Sequence, residues 1–196
     1  MINKIILASQ SEIRKQILEE HGFEIITEIS RVDEEEIKRS MQANKASCVA
    51  ISKSLAEHKA NRISAKFPNA FVLGADQVLD LDGECISKPE NVEEAQIILK
   101  KLNGKTHKLH SAVCVSKNGS MVWHHHETSV LKMKQLTGDE IKNYLDLVSF
   151  EIMKKYGVYQ IESHGKNLFE KIDGDVNSIL GMPIVAVTNY FQQQNV

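Results

Sequence analysis

Two hairpin signals, set in a chain that otherwise alternates strand-like and helix-like segments, constrain the fold most strongly. Asp82-Gly83 lies between VLDL and ECIS, and Asn118-Gly119 lies between KLHSAVCVS and MVWHHHETSVLKM. Such pairs favour two-residue turns, which join antiparallel strands. The opening KIILA is instead a short buried strand followed by a helical segment, the unit from which parallel sheets are built. The sequence therefore predicts an α/β fold with a mixed sheet.

Capping signals and the spacing of apolar residues predict five helices. They are expected over 12–21, over 45–66, after Asn91 with Glu94, after Thr137 with Glu140, and from about Pro183. A cap residue followed three positions later by Glu forms a capping box at a helix start. AFVLGAD, GVYQI and LFEKI are predicted as further short strands. The chain of 196 residues has no repeat or linker, so it fits one domain or two small lobes.

The charge balance excludes whole classes of partner. With 24 basic and 26 acidic residues, the net charge of −2 offers no global positive field for nucleic acid or an anionic membrane. The apolar run at the N-terminus, Ile5 to Ala8, is too short for a signal sequence, and no later run reaches membrane length. We therefore expect a cytoplasmic protein that binds neither nucleic acid nor membranes.

The segment SQSEIRK places two hydroxyls and a guanidinium where the first strand gives way to a helix. Backbone N–H groups at a helix start attract anions, and Ser9, Ser11 and Arg14 would add donors there. Arg14 in the first turn opposes the helix dipole, a conflict that a bound phosphate would relieve. The alternative is that Ser11 is an ordinary cap and Arg14 is exposed.

Asp76 follows the apolar run of AFVLGAD, so it is predicted at the end of a core strand. A buried carboxylate is costly unless it is paired, and ligand-binding residues of open α/β sheets lie at strand ends. A metal ion, or a water that the ion activates, is one natural partner. The alternative is a carboxylate that caps a turn or binds a nearby backbone N–H.

Two lysines occupy unusual positions. Lys59 lies on an otherwise apolar line of the helix over 45–66, and Lys88 directly precedes Pro89. Each either extends its ammonium to water or reaches into a pocket. Together with Arg14 they would supply three cations that neutralise a polyphosphate.

Two other patterns do not qualify as sites. NGKTH resembles the end of a phosphate-binding loop, but Leu99 stands where that loop requires glycine. In a strand, only His124 and His126 of the histidine triplet share a face, and no acidic or Cys partner lies at ligand spacing.

Four segments in order carry a family resemblance: ILASQSEIRKQIL, LGADQVLDLDGECISKP, EEAQIILKKLNGKTHKLHSAV and YGVYQIESHGKNLFEKIDGDVNSILGMPI. From about Ile5 to Pro183 the chain resembles the Maf family of nucleoside triphosphate pyrophosphatases. This resemblance implies one Maf-like domain over 1–196, an elongated α/β fold whose mixed sheet is flanked by helices, two lobes around a cleft as in the ITPase-like proteins, and a homodimer.

The resemblance also implies an activity: hydrolysis of a nucleoside triphosphate between its α and β phosphates, with a divalent cation (Mg²⁺, Mn²⁺ or Co²⁺). Asp76 corresponds to the position of the family's proton acceptor. Asp76 and Glu34 also correspond to its acidic positions on the side of the site that holds the metal. The positions that hold the triphosphate correspond to Ser9, Arg14, Lys59 and Lys88. The implied role is removal of non-standard or modified nucleotides, with a part in cell division arrest; the alternative is a nucleotide-binding regulator of division without significant catalysis.

Three positions bear on the preferred base. The branch acting on dTTP and UTP carries Arg, Thr and Gln where this chain has Ile13, Gln77 and Glu162, and the branch acting on 7-methyl-GTP carries Trp, Gln and Glu. Two positions side with the second branch, but Ile13 cannot stack on a purine as Trp can. Glu162 could accept hydrogen bonds from guanine. Alternatively, Glu162 pairs with a lysine such as Lys166.

Overall fold

The computed structural model describes residues 4–194, in which seven strands form one sheet. The strands are β1 Lys4–Leu7, β2 Glu24–Thr27, β3 Val72–Leu81, β4 Glu84–Ile86, β5 Thr106–Lys117, β6 Ser120–Met133 and β7 Phe169–Asp173. Their order is β2-β1-β3-β5-β6-β7, with β4 paired to β3.

Eight α-helices and a short 3₁₀ helix, His164–Leu168, occur within these residues. The α-helices are α1 Glu12–Glu20, α2 Glu34–Ala43, α3 Cys48–Ser64, α4 Val92–Leu102, α5 Gly138–Leu147, α6 Phe150–Tyr156, α7 Val176–Ile179 and α8 Ile184–Gln193. All five predicted helices are present as α1, α3, α4, α5 and α8. Thr137 and Glu140 form the predicted reciprocal capping box at the start of α5. No helix in the described part of the chain is both long and apolar enough to cross a membrane.

Parallel and antiparallel pairs coexist in the sheet, which confirms the predicted mixed α/β class. β1 pairs in parallel with β2 and with β3, whereas β3 and β4, and β6 and β7, are antiparallel. Asp82 and Gly83 have φ of 55° and 89°, and Asn118 and Gly119 have φ of 53° and 82°. Positive φ at both central residues is what a type I′ turn requires, so both hairpin predictions hold.

Residue contacts divide the described chain into two compact units. The first comprises residues 4–78, 110–128 and 175–194, and the second comprises 79–109 and 129–174. The core of the first unit is formed by side chains of β1, α1, β3, β5 and α8, among them Ile5, Leu7, Leu18, Leu73, Val113, Val115, Val187 and Phe191. The core of the second includes Leu99, Leu102, Leu131, Met133, Ile141 and Phe169.

Gly74 allows α3 to lie unusually close to β3. A Cβ at this position would lie 2.2 Å from the carbonyl oxygen of Ala56 and 2.8 Å from the backbone nitrogen of Ala60. Real Cβ atoms do not approach backbone atoms so closely, so only glycine permits this packing. Because alternate residues of a strand share a face, Asp76 points to the same side of β3 as Gly74, toward α3.

A buried histidine lies in the core of the second unit. His107 Nε2 is 2.6 Å from the hydroxyl oxygen of Tyr159, and both rings pack against Phe169. Burial lowers the pKa of His107 to about 4, so the imidazole is neutral at physiological pH.

Two local predictions are corrected by the structure, and three of its helices were not predicted. β3 continues beyond Asp76 to Leu81, so Asp76 lies within the strand and not at its end. GVYQI is not a strand; Val158 and Tyr159 are buried as irregular backbone. The helix α2 was not predicted; Asp33 caps its first turn, where the carboxylates of Glu34, Glu35 and Glu36 suit the helix dipole. The segments forming α6 and α7 were not predicted as helical because each is short.

Candidate active site

The buried carboxylate of Asp76 has a lysine as its partner. Lys59 Nζ lies 2.7 Å from Asp76 Oδ1, and each side chain is only 9% exposed. Lys59 comes from α3, which the close packing at Gly74 brings against β3. The lysine on the apolar line of its helix therefore reaches inward, and the alternative that it extends to water is wrong.

Glu34 completes a bridge through the same ammonium. Its Oε1 lies 3.0 Å from Lys59 Nζ, and its side chain is 41% exposed. Glu34 is the first residue of α2, directly after the cap residue Asp33, so the start of α2 presents it toward α3. The ammonium of Lys59 thus lies between two carboxylates, one buried and one open to solvent.

Arg14 is fixed by main-chain carbonyls. Its Nη1 donates to the carbonyl oxygen of Ala75 at 2.8 Å, and its Nε donates to that of Gly181 at 3.0 Å. Burial lowers the pKa of Arg14, and the negative charges of Asp76 and Glu34 oppose that change. A guanidinium nevertheless stays protonated in proteins, so Arg14 provides a fixed positive charge beside Asp76.

The serines at the start of α1 form a local cap. Ser11 accepts a hydrogen bond from the backbone N–H of Arg14 at 3.4 Å, as the cap prediction requires. Ser9 Oγ accepts from the N–H of Ser11 at 3.2 Å and lies 3.5 Å from Arg14 Nη1. Ser11 is therefore a helix cap, as the alternative interpretation proposed. Arg14, however, is half-buried beside Ser9 and not exposed.

Gln77 and Ile13 have clear packing partners. Gln77 Nε2 donates to Ser111 Oγ and to the carbonyl oxygen of Ile179, both at 2.8 Å. Ile13 is half-buried and packs against the core of the first unit. Both side chains therefore have structural partners, and a role in choosing the base stays a prediction.

Lys88 and Glu162 belong to the second unit. Lys88 Nζ donates to the carbonyl oxygen of Lys155 at 2.7 Å. Glu162 is exposed, and within residues 4–194 no ion pair joins it to Lys166. Burial, and to a smaller extent the charge of Glu162, raise the pKa of Tyr144 to about 12. Of the predicted site residues, the structure therefore brings Ser9, Arg14, Glu34, Lys59 and Asp76 together in the first unit.

The chemistry of the two carboxylates fits a divalent cation. Oxygens of Asp76 and Glu34 already converge on one positive charge, the ammonium of Lys59. Mg²⁺ is commonly held by one or two carboxylates together with water and substrate phosphate oxygens. Among the described residues no group of three or more His, Cys, Asp or Glu could hold a metal ion. The two carboxylates would therefore need phosphate oxygens or water to complete the coordination.

Several partners of these residues could not be identified from sequence. The carbonyl oxygens of Ala75, Ile179 and Gly181 contact Arg14 or Gln77, and carbonyl groups have no sequence signature. Ser111 is an ordinary strand residue in the sequence, and only the pairing of strands and helices shows that it contacts Gln77.

Comparison with known proteins gives consistent matches. The family model described as Maf-like protein matches residues 4–194. A nucleoside triphosphate pyrophosphatase of Pelagibacter ubique (strain HTCC1062) is 49% identical over 192 residues, which cover 98% of each chain. A 7-methyl-GTP pyrophosphatase of Bartonella quintana (strain Toulouse) is 40% identical over 185 residues, covering 94% of this chain and 92% of that protein. The structure of the Staphylococcus aureus Ham1 protein covers 66% of this chain and 71% of its own, with 14% identity and a TM-score of 0.39, a likeness too distant to carry an argument.

Proposed function

The chain belongs to the Maf-like protein family, and on this premise we propose that it is a nucleoside triphosphate pyrophosphatase. The proposed reaction breaks the bond between the α and β phosphates and gives a nucleoside monophosphate and pyrophosphate. One observation carries the proposal: Asp76 is paired with Lys59 at 2.7 Å, and the guanidinium of Arg14 is fixed on the carbonyl oxygen of the preceding residue, Ala75, at 2.8 Å. A carboxylate that accepts a proton, beside cations that attract phosphate, suits hydrolysis of a polyphosphate.

Asp76 is proposed to accept the proton of the attacking water at Oδ2. This oxygen receives no hydrogen bond from the described residues and is not among their fully buried polar atoms without a partner, whereas Oδ1 is held by Lys59. The water oxygen forms a bond to the α phosphorus as the bond to the bridging oxygen breaks. The electron pair of the broken bond leaves with pyrophosphate.

Ser9, Arg14, Lys59 and Lys88 are proposed to hold the triphosphate. Arg14 needs no movement for this role, since carbonyl bonds already orient its guanidinium. A preformed charge stabilises a phosphoryl transition state without reorganisation during the reaction.

A divalent cation, Mg²⁺, Mn²⁺ or Co²⁺, is the proposed cofactor, and Asp76 and Glu34 are the residues that would hold it. When bound, such an ion neutralises phosphate charge and lowers the pKa of a water molecule.

The preferred substrate is proposed to be of the 7-methyl-GTP type, ahead of dTTP or UTP. Gln77 and Glu162 match that branch of the family, and Ile13 matches neither branch. A relative named 7-methyl-GTP pyrophosphatase is 40% identical to this chain. The protein is further proposed to be a cytoplasmic homodimer that removes non-standard nucleotides, with a part in cell division arrest.

The test is a panel of nucleoside triphosphates that includes 7-methyl-GTP, GTP, dTTP, UTP and 5-methylated pyrimidine nucleotides. Pyrophosphate release is measured with each of the three metals. We expect release from at least one nucleotide, with 7-methyl-GTP ahead of dTTP and UTP. Tight nucleotide binding without release would favour the alternative, a nucleotide-binding regulator of division.

A further inference from the structure

Three acceptors of the first unit hold the side-chain amide of Gln77 in one orientation. Its Nε2 donates to Ser111 Oγ and to the carbonyl oxygen of Ile179 at 2.8 Å, and it lies 3.3 Å from the carbonyl oxygen of Ser178. Carbonyl oxygens can only accept hydrogen bonds. The amide atom that faces them must therefore be the nitrogen, whichever way the amide might otherwise turn.

Ser111 can serve Gln77 only as an acceptor. Its hydroxyl has a single hydrogen, which it donates to the carbonyl oxygen of Ser178 at 2.6 Å. The Ser111 oxygen therefore accepts from Gln77 Nε2. Ser111 is 1% exposed, so water does not compete for this position.

The chain segment 178–181 links Gln77 to the charge cluster. Its carbonyls at Ser178 and Ile179 meet Gln77, and its carbonyl at Gly181 accepts from Arg14 Nε at 3.0 Å. The start of this segment is itself anchored, since the backbone N–H of Ser178 donates to Asp175 Oδ2 at 2.8 Å. Gln77 is therefore connected to the charged residues in two ways: it directly follows Asp76 in the sequence, and it contacts the same segment as Arg14.

The other end of the amide is unused. Gln77 Oε1 receives no hydrogen bond from the described residues, and it is not among their fully buried polar atoms without a partner. Both N–H groups face protein acceptors, so this side chain can offer a ligand an acceptor but no donor.

We propose that Ser111 is a positioning residue that, through Gln77, makes the site accept a hydrogen bond from the substrate's base and donate none at this position. The proposal rests on the proposed function, because it concerns the nucleotide which that reaction consumes. It predicts recognition of a ring N–H of the base. Replacing that hydrogen by a methyl group would remove the donor and leave the triphosphate unchanged.

The kinetic test compares each base with its methylated form: GTP with N1-methyl-GTP and UTP with N3-methyl-UTP. The quantity compared is the ratio of kcat/KM for the unmethylated nucleotide to kcat/KM for its methylated form. In the wild type we expect this ratio to exceed one for the better substrate. Ser111→Ala is expected to lower that ratio about three- to tenfold, mainly through KM, as loss of one hydrogen bond would. A wild-type ratio near one, or an unchanged ratio in Ser111→Ala, would overturn the proposal.

Ser116→Ala is the matched control. Ser116 lies on the same strand, β5, and is 0% exposed, but its hydroxyl donates to Asn61 Oδ1 at 2.7 Å. The Ser116→Ala variant removes a buried hydroxyl that does not contact Gln77. It should therefore lower stability about as much as Ser111→Ala does and leave the kcat/KM ratio unchanged. An equal loss of the ratio in both variants would mean that any buried serine of β5 has the effect, and the proposal would be wrong.

A measurement on the wild-type protein does not depend on catalysis. The side-chain NH₂ signals of Gln77 can be assigned by NMR through their absence from the spectrum of Gln77→Met. We expect these hydrogens to exchange with water at least about tenfold more slowly than those of the exposed Gln192, because both are hydrogen-bonded. If the Gln77 hydrogens exchange as fast as those of Gln192, the proposal is refuted even when pyrophosphate release is found. If they exchange slowly, the orientation of Gln77 is supported even when no pyrophosphate release is found.

Discussion

Lys59 and Asp76 form a buried ion pair, with Nζ 2.7 Å from Oδ1, and the same ammonium lies 3.0 Å from Glu34 Oε1. With Arg14 nearby, two positive and two negative side chains balance one another in the first unit. Such a cluster is neutral before substrate arrives, which explains how the Asp76 side chain can be only 9% exposed without a large electrostatic cost. Removing the charge of Asp76 is therefore expected to affect mainly activity, and removing the charge of Lys59 is expected to lower stability.

Asp76→Asn is expected to abolish most of the activity while the protein stays folded. The amide keeps an oxygen for Lys59 but cannot take up a proton from water, and loss of a general base typically costs about 10²- to 10⁴-fold in rate. Pyrophosphate release is the measurement, with thermal unfolding as the check on folding. Asp82→Asn, in the exposed hairpin turn, is the control and should keep full activity. Near-normal turnover of Asp76→Asn would exclude the proposed mechanism.

Lys59→Met is expected to lower the free energy of unfolding by about 3 kcal/mol, since it leaves the Asp76 carboxylate buried without its ammonium. The double variant Lys59→Met with Asp76→Asn removes that unpaired charge and should recover much of the loss. Urea denaturation of the wild type, both single variants and the double variant gives the coupling between the two side chains. Simple additivity would show that the pair contributes little to stability.

Gly74→Ala is expected to destabilise the protein by about 1–3 kcal/mol or more and to lower activity. The added methyl group would overlap the backbone of Ala56 and push α3, which carries Lys59, away from β3. Gly138→Ala is the matched control, since a Cβ there meets nothing within 4 Å. It should be neutral or stabilising by less than about 1 kcal/mol. Equal effects of the two substitutions in denaturation experiments would contradict the close-packing explanation.

His107 is expected to make stability fall as the pH drops. Its pKa is about 4 in the folded protein, against an ordinary value of 6.5, so between these pH values the unfolded chain binds a proton that the folded protein does not. Stability from this group is therefore complete above about pH 6.5 and decreases toward pH 4, by about 3 kcal/mol in all.

Urea denaturation between pH 4 and 7 measures this effect. His107→Gln should flatten the pH dependence, because the replacement does not titrate. His58→Gln, at an exposed position of α3, should leave the slope as in the wild type. If the slope of His107→Gln also matched the wild type, the buried histidine would not be its source.

Sequence patterns determined the local elements of this protein. The Asp82-Gly83 and Asn118-Gly119 turns and the Thr137 capping box depend on neighbouring residues alone, so they could be predicted in place. The helical period placed Lys59 on a line of apolar residues, but it left open whether the ammonium reaches water or a pocket. Predictions were wrong where local signals were weak or ambiguous, as at GVYQI, or where two strand segments joined into one, as at Asp76.

Only the tertiary structure decided which of these residues meet. Arg14 contacts carbonyl groups 61 and 167 positions away, and Gln77 contacts Ser111 and α7 across 34 and 102 positions. Contacts of this kind depend on sheet order and on how closely a helix packs, and a backbone carbonyl looks the same in every sequence. The sequence by itself therefore determined the candidate charged residues and their elements, whereas long-range packing decided that Lys59 joins Asp76 to Glu34 and that Ser111 holds Gln77.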